Sequence, residues 1–116
     1  ASYFLSQILG RRKAAELLLL GDRFDAAEAE RLGLVNRRVA GAELAAEVDA
    51  LVARLQRGPR RVDAEIKALL AAAPTNQLES QLQSEAEAFA RCTTTEDFAE
   101  GVTAFLEKRK ATFKGR

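Results

Sequence analysis

The sequence predicts a mainly α-helical chain with at most one short strand. Four stretches from residue 44 onward repeat apolar residues at i, i+4, i+7 and i+8, the spacing of one helix face. Residues typical of turns and helix caps separate these stretches. Only residues 34–39 have the composition of a strand, and the chain offers no second strand to pair with them.

The first predicted helix covers residues 11–20 and ends at Gly21, because glycine readily adopts the left-handed conformation that closes a helix. Its last turn, residues 17–20, consists of four leucines and is apolar on every side. We therefore expect this end of the helix to be buried on several sides.

A short second helix is predicted over residues 26–32. Asp25 is a suitable N-cap, and Gly33 provides the stop. The strand-like segment 34–39 follows directly. A single strand leaves its backbone groups unpaired, so we expect it to pair with a part of the protein outside these 116 residues.

The four amphipathic stretches define the remaining helices. Gly58 and Pro59 separate the first two, residues 73–76 separate the second and third, and residues 92–95 separate the third and fourth. Thr95 or Thr94 is the predicted N-cap of the last helix. The apolar positions are Leu44, Val48, Leu51, Val52 and Leu55; Val62, Ile66, Leu69, Leu70 and Ala73; Leu78, Leu82, Ala86 and Phe89; and Phe98, Val102, Phe105 and Leu106.

Composition restricts the function. Eighteen basic residues nearly balance 17 acidic ones, so no excess charge favours nucleic acid or an anionic membrane as a partner. The chain has no histidine, which excludes a Ser-His-Asp triad within it and argues against a zinc site. Cys92 is the only cysteine, so an internal disulfide is excluded as well. No apolar run approaches the roughly 20 residues of a membrane span. With no secretory signal visible, we expect a cytoplasmic location.

Three separated motifs resemble the crotonase superfamily of enoyl-CoA hydratases and isomerases. Residues 2–17 contain SYFL, ILG and A-x-EL; residues 20–39 contain LGDRFDA and GLVNRRV; residues 100–115 contain EGVTAFLEKR and FKG. Their order and spacing resemble the C-terminal portion of that family along essentially the whole chain. The absence of methionine also fits a segment of a longer protein.

The resemblance implies a fold and a chemistry. The family fold is a spiral of ββα units followed by a helical region that drives trimer formation, so residues 1–39 would be the tail of the spiral core and residues 40–116 the helical oligomerisation region. The family stabilises an enolate-like thioester oxyanion with two backbone N–H groups. These donors and the catalytic glutamates precede the present chain in family members, so no catalytic residue is assigned. No cofactor is expected beyond coenzyme A as part of the substrate.

Three binding residues follow from the same resemblance. Phe89 and Phe105 resemble the aromatic lining of the acyl pocket, and Lys108 resembles the basic residue near the coenzyme A phosphates. Periodicity alone favours core packing for both phenylalanines, and a solvated helix end for Lys108. Phe113 is either a pocket wall or an anchor for the tail. For Gly101, inside a helix, the expected compensation is a close helix crossing.

Two other functions remain as alternatives. The chain could be a stand-alone helical association module whose apolar faces bury against copies of itself or a partner. A nucleic-acid binder would rest only on Arg11, Arg12 and Lys13 with Arg60 and Arg61, and the near-zero net charge opposes it.

Overall fold

The computed structural model describes all 116 residues and contains six α-helices, one short 3-10 helix and no β-strand. It confirms the predicted mainly helical fold. The helices are α1 (Ser2–Leu20), α2 (Ala26–Arg31), α3 (Leu44–Gln56), α4 (Arg60–Ala72), α5 (Leu78–Thr93) and α6 (Glu96–Leu106), with the 3-10 turn Gly41–Glu43 before α3. None of the helices is both long and apolar enough to cross a bilayer.

Helix α1 begins earlier than predicted and is broken at Gly10. That residue has φ 73° and ψ 162°, a conformation that essentially only glycine adopts, so the helix changes direction there. The predicted end is confirmed: Gly21 has φ 68°, and its N–H donates to the carbonyl of Leu17 at 3.2 Å. The left-handed glycine thus satisfies a backbone acceptor of the last turn.

The expected burial of the leucine run at the end of α1 is wrong for this chain. Leu19 is 84% exposed, and Leu18 and Leu20 are exposed as well. Nothing in the 116 residues covers these side chains, although four consecutive leucines are a composition typical of a buried helix end.

The predicted cap of α2 is confirmed, because the N–H of Glu28 donates to the Asp25 carboxylate at 2.9 Å. The predicted strand at residues 34–39 is wrong. This segment forms bends and irregular extended backbone, since no second strand is present to pair with it. A side chain provides a hydrogen-bond acceptor for its backbone instead, because the Arg38 N–H donates to the Glu30 carboxylate at 3.0 Å.

Helices α3 to α6 occupy the predicted segments. Helix α4 packs against α5, and α5 packs against α6. A bidentate ion pair joins α4 to α5. Arg91 Nε and Nη2 donate to the two carboxylate oxygens of Glu65 at 3.0 and 2.8 Å. Between α5 and α6, the rings of Phe89 and Phe98 meet edge to face at 6.0 Å.

The chain divides into two compact units, residues 1–47 and 48–116. The proposed relation of residues 1–39 to a larger spiral core stays a prediction. The buried apolar side chains are all small: Ala14 in the first unit, and Ala88, Cys92 and Ala104 in the second. Cys92 thus packs as a small buried apolar side chain. The large apolar residues of α3 to α6 remain mostly exposed, so most of the amphipathic faces lack a partner within the chain.

The last ten residues, 107–116, fold back along α6, and we call them the C-terminal strap. Lys108 begins the return in the left-handed region at φ 54°. Its N–H donates to the Phe105 carbonyl and that of Arg109 to the Ala104 carbonyl, which together form a Schellman closure. The predicted helix crossing at Gly101 is wrong, because the neighbour there is the ring of Phe113 from the strap.

Candidate functional site

Two apolar grooves lie side by side on the second unit. The first has a volume of about 380 Å³ and the second about 280 Å³. Val62 of α4 and Phe98 of α6 border both. The first groove is lined by Pro59, Val62, Asp97, Phe98, Gly101, Val102, Phe105, Leu106 and Phe113. The second is lined by Val62, Glu65, Ile66, Leu69, Glu85, Ala88, Phe89, Cys92 and Phe98.

Phe105 lies in the first groove and is 82% exposed. The periodicity of α6 favoured a core position, but the only fully buried apolar residue of that helix is Ala104. Core packing within this chain is therefore the wrong interpretation of Phe105. An aromatic ring held this far into solvent is available to a ligand or to another protein surface.

Phe89 lies in the second groove and is 63% exposed. Its ring contacts Phe98 edge to face, so Phe98 stands between the two predicted pocket residues. The structure thus places Phe89 and Phe105 in neighbouring grooves and not in one cavity.

Lys108 lies immediately beyond α6 and lines neither groove. It is the only non-glycine residue with positive φ. Its exposed side chain makes no ion pair, whereas the next residue, Arg109, pairs with Glu100 at 2.7 Å and with Glu107 at 2.6 Å. Lys108 therefore carries an unpaired positive charge two residues past the last residue of α6, the helix that contains Phe105.

Asp97 lies in the first turn of α6. In the structure it is 3% exposed, and its carboxylate accepts the N–H groups of Lys114 and Gly115 at 2.6 and 2.8 Å. Its own N–H donates to the carbonyl of Arg116 at 3.0 Å. These three hydrogen bonds of Asp97 hold the end of the strap against the start of α6.

Glu100, one helical turn later, holds the middle of the strap. Its carboxylate accepts both terminal nitrogens of Arg109, at 2.7 and 2.9 Å, and the N–H of Thr112 at 2.8 Å. The hydrogen bonds from Arg109, and then that from Thr112, lower the pKa of Glu100 from its ordinary value of 4.5 to about 2. Glu100 is therefore ionised at neutral pH.

A third depression, of about 370 Å³, is more polar and lies where α4, α5 and the strap meet. Its arginines are already engaged: Arg61 and Arg91 both pair with Glu65, and Arg116 pairs with Glu96. The hydrogen bond from Arg91 is the main reason that the pKa of Glu65 lies below its ordinary value. The arginines of this cleft thus belong to ion pairs with two carboxylates, those of Glu65 and Glu96.

The first groove can bind an apolar group, and its lining contains no free ionisable side chain for acid–base chemistry. Asp97 is the only ionisable residue that lines the first groove, and both its oxygens accept backbone N–H groups. Aromatic and aliphatic walls suit a hydrocarbon tail or an apolar protein surface. The geometry thus defines a helical segment with two open apolar grooves.

Comparison with known proteins assigns the family. The sequence model of the family described as Enoyl-CoA hydratase/isomerase matches residues 1–116. The chain belongs to the enoyl-CoA hydratase/isomerase family, which confirms the resemblance carried by its three motifs.

Individual relatives agree with this assignment. The chain is 40% identical over 110 residues to a crotonyl-CoA hydratase from Syntrophomonas wolfei, an alignment that covers 94% of the chain and 42% of that protein. It is 32% identical over 115 residues to a 1,2-epoxyphenylacetyl-CoA isomerase from Escherichia coli, covering 99% of the chain and 44% of the relative.

A solved structure has the same fold over this length. The crystal structure of an enoyl-CoA hydratase subunit I from Geobacillus kaustophilus superimposes with a TM-score of 0.94 at 37% identity, covering 99% of this chain and 45% of that one. The chain therefore spans less than half the length of the relatives that it matches.

Proposed function

We propose that this chain is the C-terminal segment of an enzyme that acts on acyl-coenzyme A thioesters through a stabilised enolate, with hydration of a 2-enoyl-CoA as its reaction. Membership of the enoyl-CoA hydratase/isomerase family supports the substrate class. The 40% identity to a crotonyl-CoA hydratase favours hydration over the isomerase reaction named for a 32% identical relative. Coenzyme A enters as part of the substrate.

In this proposal the segment supplies binding surfaces and not the reacting groups. The observation that carries it is Phe105, 82% exposed in an apolar groove that also contains Phe98 and Phe113. Such a groove would hold the apolar acyl tail. Lys108, with its free ammonium group, would reach a phosphate of coenzyme A as a point charge. Phe89 would extend the apolar wall beyond Phe98.

The proposal also includes a homo-oligomer, a trimer or a dimer of trimers. The apolar face of α3 supports it, because five of its large aliphatic side chains are exposed and nothing within the chain covers them. These residues are Leu44, Val48, Leu51, Val52 and Leu55. Burial of this face against another part of the assembled enzyme would remove a large apolar patch from water.

The test compares the 116-residue chain with the product of the complete reading frame that contains it. We expect the complete protein to hydrate crotonyl-CoA and the 116-residue chain alone to show no turnover above the buffer rate. Turnover by the chain alone would show that catalytic groups lie within it. A complete protein that neither turns over nor binds any acyl-CoA would refute the proposed function.

The alternative is a stand-alone helical association module, which the same exposed α3 face favours. Analytical ultracentrifugation of the 116-residue chain separates the two functions. Reversible, concentration-dependent assembly into a defined oligomer, without acyl-CoA binding, would support the module. A compact monomer at all concentrations would eliminate it.

A further inference from the structure

The C-terminal strap is held in register by one face of α6. Asp97, Glu100 and Gly101 are spaced i, i+3 and i+4, so they lie on the same side of the helix. The strap runs back past them in the opposite direction, with Thr112 at Glu100, and Lys114 and Gly115 at Asp97. Two carboxylates one helical turn apart thus hold backbone N–H groups of the strap.

Phe113 lies between these two anchors. Its backbone is fixed on one side by the bond from Thr112 to Glu100 and on the other by the bond from Lys114 to Asp97. Its ring rests over Gly101, with Cε1 3.6 Å from the point where a Cβ would be. The same ring lines the groove that contains Phe105.

The chemistry at Asp97 requires a carboxylate. The carboxylate accepts one backbone N–H at each oxygen, at 2.6 and 2.8 Å, in a site that is 3% exposed. An asparagine of the same shape would present an NH₂ group to one of those donors, so that this backbone N–H would lose its acceptor. The interaction therefore depends on the second oxygen and not only on the size of the side chain.

We infer that Asp97 is a positioning residue that fixes Phe113 as a wall of the acyl groove, and thereby sets the affinity of the enzyme for longer hydrocarbon tails. This inference rests on the proposed function. Apart from Asp97, whose oxygens are occupied, the groove is lined by apolar residues, so the tail it would accept is an unsubstituted hydrocarbon. A short acyl group, with less apolar surface to bury, would depend on the wall less.

The test is made in the complete enzyme with Asp97→Asn, Phe113→Ala and the double variant. Asp63→Asn is the matched control, because Asp63 also lies in the first turn of a helix but does not bond to the strap. We expect Asp97→Asn to raise KM for octenoyl-CoA by about tenfold, the size of a lost aromatic wall, and to raise KM for crotonyl-CoA much less. Phe113→Ala should do the same.

The double variant distinguishes positioning from general destabilisation. If Asp97 acts through Phe113, adding Asp97→Asn to Phe113→Ala should raise KM for octenoyl-CoA no further. Additive effects, equal effects on both substrates, or no effect would each overturn the inference. If Asp97→Asn does not fold, Phe113→Leu replaces it: a partial rise in KM for octenoyl-CoA alone supports the role of the wall, and its absence refutes it.

A second measurement does not depend on turnover. In the complete enzyme, Asp97→Asn should speed hydrogen exchange at the Lys114 and Gly115 amides and weaken binding of the apolar dye anilinonaphthalene sulfonate to the level of Phe113→Ala. Faster exchange with unchanged dye binding would show that the strap does not control the groove. Loss of the proposed enzymatic function would appear separately, as an unmodified enzyme without acyl-CoA turnover.

Discussion

The ring of Phe113 lies over Gly101, with its Cε1 atom 3.6 Å from the position that a Cβ on the glycine would occupy. That distance is an ordinary van der Waals contact. A glycine within a helix is less favourable than alanine, and here the space beside it is filled by a residue from the returning strap. This contact joins the helix that carries Phe105 to the C-terminus of the chain.

Gly101→Ala should therefore be tolerated and should stabilise the chain. The added methyl group fits against Phe113, and the helix gains up to about 1 kcal/mol in propensity. Urea unfolding followed by circular dichroism measures the change. Gly101→Leu is the contrasting variant, because a longer side chain must displace Phe113. A destabilisation by alanine would show that the strap lies closer to α6 than described.

The N-cap of α6 offers a test with a neighbouring control. The Thr95 hydroxyl accepts the Phe98 N–H at 3.1 Å, whereas the Thr94 hydroxyl only donates to the Arg91 carbonyl at 3.0 Å. Thr95→Ala should lower the free energy of unfolding by about 1 kcal/mol, the usual effect of removing a cap. Thr94→Ala should have a clearly smaller effect in the same thermal unfolding experiment, and equal losses would contradict the assignment of the cap.

The lowered pKa of Glu100 predicts how the stability of the folded chain changes with pH. Its pKa falls from 4.5 to about 2 on folding, chiefly because Arg109 donates hydrogen bonds to it. The folded carboxylate thus binds its proton less tightly than the unfolded one. Its stabilising contribution is complete above about pH 4.5 and is lost as the pH falls toward 2. Glu100→Gln should flatten the fall in melting temperature between pH 5 and pH 2, whereas the exposed Glu79→Gln should not.

The ion pair between Arg91 and Glu65 should contribute little despite its two short hydrogen bonds. It lies at the surface, where solvent screens the charges and ordering two long side chains costs entropy. A double-mutant cycle with Glu65→Gln and Arg91→Gln should give a small coupling that shrinks further in high salt. A large coupling that salt does not weaken would mean that the pair is shielded from solvent in the folded protein.

Local signals predicted most helix boundaries. The cap at Asp25, the stop at Gly21 and the break at Pro59 lie where the sequence placed them, because each depends on residues within about one helical turn. The part of α1 before Gly10 was not predicted, because the glycine interrupts the helical pattern of the sequence at that point. The prediction of a strand at residues 34–39 was wrong, because a segment with strand propensity does not form a strand without a second strand to pair with.

The candidate site was predicted in part. Phe105 and Phe89 were identified through the family resemblance and do lie in apolar grooves, but in two grooves separated by Phe98. Their roles in binding an acyl-CoA, like that of Lys108, stay predictions. The sequence shows that Asp97, Glu100 and Gly101 lie on one face of α6. Nothing in this spacing indicated that the C-terminal strap would return along that face.

The amino-acid sequence by itself determined the family, the helices and their caps, because these depend on motifs and on neighbours a few positions apart. Only the tertiary structure decided which apolar residues are covered and what Asp97 does. The bonds from Asp97 to Lys114 and Gly115 join residues 17 and 18 positions apart, and such bonds form only after α6 has ended and the strap has turned back. Burial of the carboxylate is thus a property of packing, which no local pattern encodes.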